Sequence, residues 1–387
     1  MCASTVIFKG FYVRNILYLL LLFFLPAHAV DNIYSDSYAH GVGASNPPVT
    51  GFVPLLQVAT GHTFNNQAID GGMAADMSVK AHGVTQGAAD WEIVQLGANE
   101  QHVYLGDATK QGYFRAFMLD IVMSGAAPSW TPATGMTAST YSSGSWTTWT
   151  TTAPYAGAMQ SWLGGSSLTG QFTGTALYVS VQLSEPAGGS ALAGTANVLV
   201  DGTVVGTVTS NGTGMSTGQG TTAAPATYRF GGLSAGLHTA QIVMTSDVHS
   251  IAGLLRVIGI AGSGQTVKPR VVVGNIPKWT AAAYAQYGGS DAIVLQYVTI
   301  TNTIVQQAQT DGLNVLGVDN YTALNPAVNM LDLHPNDSVY ALIEQGYYAQ
   351  FISGTPPVVY VPAYLCTNGT NYFGAADVGC TINLQPL

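Results

Sequence analysis

The chain has 387 residues with a formal net charge of −9, and only 7% of its residues are charged. This length leaves room for two domains of ordinary size. The acidic balance offers no basic surface for nucleic acid, which excludes that class of partner. Glycine, serine, threonine and alanine are abundant, as is typical of secreted proteins rich in β-structure.

Residues 1–29 have the pattern of a secretory signal peptide. Lys9 and Arg14 supply the positive flank, residues 16–25 form an apolar run, and residues 27–29 resemble a small-x-small cleavage site. The run is shorter than the roughly 20 residues that cross a bilayer, so we predict cleavage rather than a stable membrane span. We therefore expect a secreted or periplasmic protein.

Between residues 31 and 127, short apolar strands alternate with segments that carry apolar residues at helical spacing. The predicted strands are 32–34, 63–69 and 91–96, and the predicted helices are 51–60, 74–81 and 111–123. This alternation is typical of a parallel sheet with helices on both faces. The first part of the chain is therefore predicted to be α/β.

The composition changes at residue 128. Residues 128–266 are rich in Thr, Ser, Gly and Trp, with almost no helical periodicity. The predicted strands are 177–183, 197–200, 204–208, 226–230, 238–244 and 254–260. Asp201-Gly202 separates two of them and favours a hairpin turn. Short strands at this spacing predict an antiparallel, jelly-roll-like β-sandwich.

The first pattern resumes after this segment. Strands are predicted at 269–276 and 313–318 and helices at 292–310 and 338–351, with a loop around Pro277 and Trp279. The sandwich of residues 128–266 is therefore predicted to be an insertion. Residues 30–127 and 267–387 would together form one discontinuous α/β domain.

Four short stretches of the α/β part carry residues suited to acyl transfer. They are Asp36-Ser37 with Gly41, Asn66-x-Ala68-x-x-Gly71, Gly97-x-Asn99 and His334-Pro335-Asn336. Their order resembles the SGNH or GDSL-type hydrolases, whose four blocks contribute Ser, Gly, Asn and His. The resemblance covers residues 31–127 and 267–352 and implies a three-layer, flavodoxin-like α/β fold.

By this resemblance, Ser37 is the nucleophile and His334 is the base. The backbone N–H groups of Ser37 and Gly71, with the side-chain amide of Asn99, would form the oxyanion hole. These roles match what acyl transfer needs: a nucleophile, a group that takes its proton, and donors aimed at the developing oxyanion. No metal ion or cofactor is expected, since the sequence has no HExxH, Walker or dinucleotide motif.

Three positions depart from the family pattern. Ser35 stands where glycine is usual, and Glu100 where aspartate is usual, a change that we interpret as lying outside the hydrogen-bonding core. The family's acid lies three residues before the histidine, which is Leu331 here. We predict that Asp332 reaches the imidazole instead; a Ser–His dyad oriented by a backbone carbonyl is the alternative. Asp337 is less favoured, because acidic residues are common in the first turn of a helix.

Cys366 and Cys380 are the two cysteines that remain once the signal segment is removed. In an oxidising compartment, this pair predicts a disulfide. Closing such a short loop stabilises a chain by about 3 kcal/mol in the chain-entropy estimate. The bridge would tie down a Gly- and Asn-rich C-terminal tail that otherwise should fray.

Trp146 and Trp149 lie in a Thr-rich stretch of the predicted sandwich and allow two interpretations. They fill its core, or they stack on sugar rings.

The sequence as a whole predicts an exported serine esterase that cleaves acyl esters, with acetyl esters of a polysaccharide or peptidoglycan as the favoured substrates. The alternatives are an O-acyltransferase with the same acyl-enzyme and a non-catalytic carbohydrate-binding surface protein on a decayed hydrolase scaffold. No oligomeric state is predicted.

Overall fold

A computed structural model describes the greater part of the chain. The described residues are 31–82, 84, 90–126, 130–139, 146–150, 153–185, 193–215, 217–247, 250, 253–264, 270–323, 333–353, 363–366 and 380–383. The predicted signal peptide, residues 1–29, lies outside these ranges. Among the described residues, no helix has the length and apolarity needed to cross a bilayer.

The elements follow one another in three groups. The first group is β1 Asp31–Ser35, α1 Pro47–Thr50, α2 Phe52–Thr60, β2 Phe64–Asn66, α3 Ala74–Ala81, β3 Trp91–Gln95, α4 Ala98–Val103 and α5 Ala108–Ala126. The second group is β4 Thr131–Pro132, a 3-10 turn Ala133–Gly135, β5 Thr137–Ala138, β6 Thr147–Thr150, β7 Ala158–Ser161, β8 Ser167–Thr173, β9 Ala176–Ser184, β10 Thr195–Val200, β11 Thr203–Thr209, β12 Ala223–Gly231, β13 Leu237–Met244 and β14 Leu255–Gly262. The third group is β15 Arg270–Gly274, α6 Ala281–Tyr287, α7 Asp291–Thr310, β16 Val315–Val318, α8 Asn320–Ala323, α9 Asp337–Ser353, β17 Ala363–Cys366 and β18 Cys380–Asn383.

The first and third groups share one parallel sheet. Its strand order is β16-β15-β3-β1-β2, and every neighbouring pair is parallel. Strand β3 precedes the second group and β15 follows it, yet the two pair directly. Ile33, Ile93 and Val272 on the central strands are fully buried, as expected of a parallel sheet covered on both faces.

The helices of the first and third groups pack on this sheet. Helix α5 contacts β3, β15 and α7, whereas α9 contacts β15, β16 and α2. The predicted helices at 51–60, 74–81, 111–123, 292–310 and 338–351 are all present, and α3 spans the predicted residues 74–81. Helix α6 lies where a loop was predicted.

The second group forms two antiparallel sheets. One has the order β11-β10-β13-β8-β5, and the other has the order β12-β9-β14-β7-β6 with β4 beside β14. The six predicted strands are all present, and Asp201 and Gly202 join β10 to β11 with φ angles of 50° and 82°. Both angles are positive, as a two-residue hairpin turn of type I′ requires. Between the sheets lies a separate apolar core that includes Leu177, Val198 and Ile242.

The second group packs tightly on the α/β part. Strand β12 contacts both α3 and α5. Tyr178 on β9 and Ala226 on β12 belong to the same buried cluster as Phe117 on α5. Because one face of β9 points into the sandwich core and the other points at the helices, all nine of its residues are buried. The outer face of β9 and β12 therefore belongs to the apolar core of the α/β part, while the core between the two antiparallel sheets is separate.

The C-terminal strands β17 and β18 pair antiparallel, with Cys366 directly opposite Cys380 in the register. Cysteines that face each other in an antiparallel pair are close enough in the backbone for a bridge. The predicted disulfide remains a prediction.

Candidate functional site

The predicted site residues gather at one edge of the parallel sheet. Ser37 follows β1, Gly71 follows β2, and Asn99 lies in the first turn of α4, directly after β3. Strands β2, β1 and β3 are neighbours and parallel, so their carboxyl ends meet at this edge. Ligands of open α/β sheets bind at such an edge.

Ser37 and His334 are in hydrogen-bond contact across 297 positions of sequence. The Ser37 Oγ lies 3.2 Å from the His334 Nε2. Ser37 is only 7% exposed, and the contact with His334 is partly buried. A nucleophile within reach of a base in a site largely shielded from water is the arrangement that acyl transfer requires.

The turn after β1 is held by its own carboxylate. Asp36 is buried, and its Oδ1 accepts a hydrogen bond of 3.0 Å from the Tyr38 N–H. Such a bond from an aspartate to the N–H two residues on defines an Asx turn. Burial raises the pKa of Asp36 to about 7. Asp36 thus shapes the turn that presents Ser37.

Two aromatic residues position the His334 segment, and sequence reasoning missed both roles. The Tyr38 hydroxyl donates a hydrogen bond of 2.8 Å to the Leu333 carbonyl, one residue before His334. The Trp279 Nε1–H donates to the same hydroxyl at 3.0 Å. The position of Tyr38, next to the predicted nucleophile, was the available signal. Tyr38 therefore ties the turn that carries Ser37 to the segment that carries His334.

The turn and the histidine segment approach each other so closely that only glycine fits at position 43. A Cβ there would lie 2.6 Å from the Pro335 carbonyl oxygen and 2.9 Å from the His334 Cβ, and the φ angle is +95°. On the other side, the Asp337 carboxylate accepts hydrogen bonds from the Ser45 N–H at 2.7 Å and the Thr50 hydroxyl at 2.9 Å. These bonds join α9 to the nucleophile turn.

Two backbone N–H groups are available at the predicted oxyanion hole. Among the described residues, neither the Ser37 N–H nor the Gly71 N–H has an acceptor. Gly71 has a φ of +70°, a conformation that favours glycine. The Asn99 Nδ2 donates one hydrogen to the Gly72 carbonyl at 2.8 Å, and a carboxamide carries a second.

Ser35, at the first departure from the family pattern, has a structural role. Its hydroxyl donates a hydrogen bond of 2.9 Å to the Gln95 carbonyl at the end of the neighbouring strand β3. The side chain is fully buried. Serine in place of glycine therefore adds a link between the two strands that end at the site.

The interpretation of Glu100 was wrong. This carboxyl group is 1% exposed and accepts a hydrogen bond from the Ala74 N–H at the start of α3. It therefore takes part in the hydrogen bonds that join α4 to the segment after Gly71, as Asn99 does through the Gly72 carbonyl. Burial raises the pKa of Glu100 to about 8.

Asp332, the predicted triad acid, lies outside the described residues.

The two tryptophans of the predicted sandwich differ in burial. Trp146 is 3% exposed and belongs to the sandwich core, in agreement with the packing interpretation. Trp149 is 41% exposed, and the Arg256 guanidinium lies 3.4 Å from its ring centroid. No group of three or more potential metal ligands occurs among the described residues.

Comparisons with known proteins do not identify a family for this chain. No protein-family model matches the sequence, and no curated protein matches it significantly. A two-domain esterase active on acetylated mannans, crystallised with mannopentaose, is 10% identical over 65% of this chain and 94% of its own, with a TM-score of 0.30. A CBM36 carbohydrate-binding module in complex with calcium and xylotriose is 16% identical over 34% of this chain and 96% of its own, at 0.24. A family 35 carbohydrate-binding module from Clostridium thermocellum is 15% identical over 34% of this chain and 94% of its own, and its TM-score is also 0.24. TM-scores this low establish neither a shared fold nor a shared function.

Proposed function

We propose that this protein is a serine esterase of the SGNH type with a flavodoxin-like catalytic domain and an inserted β-sandwich. The contact of 3.2 Å between the Ser37 Oγ and the His334 Nε2 is the observation that carries the proposal. It is supported by the N–H groups of Ser37 and Gly71, which have no acceptor among the described residues, and by the carboxamide of Asn99 at the same sheet edge.

In the proposed reaction, the Ser37 Oγ attacks the ester carbonyl carbon while its proton passes to the His334 Nε2. The oxyanion of the tetrahedral intermediate accepts hydrogen bonds from Ser37 N–H, Gly71 N–H and Asn99 Nδ2. His334 then gives its proton to the leaving alcohol as the C–O bond breaks. Water then attacks the acyl carbon of the acyl-enzyme and gives a proton to His334. His334 returns that proton to the Ser37 Oγ as the bond between this oxygen and the acyl carbon breaks, which releases the carboxylic acid.

Asp332 completes the proposed triad by orienting the His334 imidazole. The alternative, a Ser–His dyad, differs from it in one measurable way. If Asp332 is the acid, Asp332→Asn lowers kcat strongly, because an amide no longer stabilises the imidazolium. Undiminished turnover of that variant would leave the dyad.

The proposed substrates are acetyl esters of an extracellular polysaccharide or of peptidoglycan. Export is proposed from the signal-peptide pattern of residues 1–29. Trp149 on the edge strand β6 is the proposed sugar contact, because it is 41% exposed. A non-catalytic binding protein would keep such a surface without turnover, and an acyltransferase would pass the acetyl group to a sugar hydroxyl.

The test is hydrolysis of 4-nitrophenyl acetate, butyrate and octanoate, and of acetylated polysaccharides, by the wild type and by Ser37→Ala. Loss of the nucleophile is expected to lower kcat by on the order of 10⁴-fold or more. Ser234→Ala, a change at an exposed serine of the sandwich, is the matched control and should leave kcat unchanged. No turnover by the wild type, or full activity of Ser37→Ala, would contradict the proposal. Acetylated sugar formed in place of acetate in the presence of acceptors would identify a transferase.

A further inference from the structure

A side chain of the inserted sandwich lies against the predicted oxyanion hole. The Gln219 Nε2 donates a hydrogen bond of 2.8 Å to the Asp70 carbonyl oxygen. The same nitrogen would lie 3.1 Å from a Cβ placed on Gly71. The Asp70 carbonyl and the Gly71 N–H belong to one planar peptide unit. Gln219 therefore holds the far end of the group whose N–H is proposed to stabilise the oxyanion.

This position of Gln219 is fixed by the docking of its turn. The Thr217 hydroxyl donates a hydrogen bond of 3.1 Å to the Asp76 carboxylate, and the Thr221 hydroxyl donates to the same oxygen. The Gln219 N–H donates to the Thr217 hydroxyl at 3.3 Å. The second Asp76 oxygen accepts from the Met73 N–H at 2.8 Å, at the start of α3. One buried carboxylate thus joins the sandwich turn to the segment that follows Gly71.

The Asp70–Gly71 peptide needs such support because glycine lets it rotate. Gly71 has a φ of +70°, and glycine reaches the alternative conformations at little cost. Asp70 is also held through its side chain, whose Oδ1 lies 2.7 Å from the His40 Nδ1, but both groups are largely exposed. A hydrogen bond to the carbonyl both fixes the plane and polarises the N–H at its other end.

We propose that Gln219 is a positioning residue for the oxyanion hole, through which the inserted sandwich sets the direction and donor strength of the Gly71 N–H. The proposal rests on the esterase function proposed above. It predicts that what matters at position 219 is a hydrogen-bond donor of about the same length. It also predicts an effect on kcat rather than on KM, because the oxyanion exists only in the transition state and the tetrahedral intermediate.

The test compares Gln219→Ala, Gln219→Glu and Gln219→Lys with the wild type on 4-nitrophenyl acetate, with thermal unfolding measured on every variant. Alanine and an ionised glutamate cannot donate, so kcat is expected to fall about 10-fold with KM within about twofold, less than the loss of a whole oxyanion donor. Lysine can donate and is expected to retain most of kcat. Tyr104→Phe is the control, because it removes a hydrogen bond of 2.8 Å to the Met215 carbonyl that also docks this loop but does not touch the Asp70–Gly71 peptide.

The outcomes separate this proposal from the proposed function. If Ser37→Ala is inactive while Gln219→Ala and Gln219→Glu keep the wild-type kcat, the role of Gln219 is refuted and the esterase stands. An equal loss of kcat in Tyr104→Phe would show that loop docking is what matters and would also refute it. An equal loss in Gln219→Lys would show that a hydrogen-bond donor at this position does not preserve kcat, which contradicts the proposal. A wild type without esterase activity would overturn both proposals.

Discussion

The buried carboxyl group of Glu100 is expected to make the protein less stable as the pH rises. It is 1% exposed, and burial raises its pKa from 4.5 to about 8. Between these two values the folded state keeps a proton that the unfolded state has released. The free energy of unfolding therefore falls by about 1.4 kcal/mol per pH unit over this range, at most about 5 kcal/mol in all.

Glu100→Gln removes this titration while keeping an oxygen that can accept from the Ala74 N–H. Below pH 4.5 the raised pKa contributes its full amount to the free energy of unfolding of the wild type, and this contribution is lost as the pH rises towards about 8. The variant has no carboxyl group at this position, so its free energy of unfolding has no such dependence on pH. Asp36, with a pKa raised by burial from 3.8 to about 7, adds a decline of its own in both proteins. Its charge also contributes to the raised pKa of Glu100, so the difference between the two curves reports the titration of Glu100 together with its coupling to Asp36.

The assay is urea unfolding of both proteins at several pH values between about 5 and 9, which cover most of the range over which Glu100 titrates. The free energy of unfolding of the wild type should approach, and then fall below, that of Glu100→Gln as the pH rises. Glu344→Gln makes the same chemical change at a half-buried site on α9 and should alter the slope far less. Parallel curves for the wild type and Glu100→Gln would refute the reasoning.

Two further substitutions test the framework of the site and of the sandwich. Gly43→Ala is expected to lower kcat about 10-fold or more, because its Cβ would lie 2.6 Å from the Pro335 carbonyl oxygen and displace the histidine segment; an unchanged kcat in steady-state kinetics would contradict this. Arg229→Met leaves the Asp311 carboxylate, which is 2% exposed, without its ion pair and is expected to lower the free energy of unfolding by about 3 kcal/mol in chemical denaturation. The exposed pair broken by Lys278→Met serves as its control, and an equally small loss in both variants would count against the prediction.

Elements stabilised by local contacts could be predicted from the sequence. Helix α3 has the predicted bounds, and the Asp201-Gly202 turn has the positive φ angles that its residues favour. Helix α6 was missed because Pro277 and Trp279 suggested a loop. Its signal was Thr280, whose Oγ accepts from the Ala283 N–H at 3.1 Å as an N-cap.

The strands β4 to β8, in the Thr- and Ser-rich stretch before residue 174, were also missed. Apart from β8, each has four residues or fewer, and polar residues dominate several of them. Strands this short and polar lack the alternation that separates a strand from a loop. Strands β4 and β7 pair with β14, and β8 pairs with β13, so these three are held by partners more than 60 positions away. Strands β5 and β6 join the sheets through β8 and β7.

The candidate site was predictable only in part. The resemblance predicted Ser37 and His334, and the structure brings them together. The supporting contacts of Tyr38 and Gln219 were not predicted, because no sequence motif pairs either side chain with its partner, whereas the family resemblance paired Ser37 with His334. Glu100 was misjudged because glutamate is rarely fully buried, and only the structure shows that this one is and that it accepts a hydrogen bond from the Ala74 N–H.

The contacts of the sandwich indicate that it is a fixed part of the fold rather than a tethered module. Three buried carboxylates of the α/β part receive hydrogen bonds from the sandwich. Asp76 accepts from Thr217 and Thr221, Asp120 accepts from Ser180 and Thr227, and Asp311 accepts from Tyr178 and Arg229. A buried carboxylate that loses such partners is strongly destabilising. The α/β part thus depends on the sandwich for polar groups that its own core leaves unsatisfied. The same interface holds the Gln219 turn against the α/β part, which the proposed role of Gln219 at the Gly71 peptide requires.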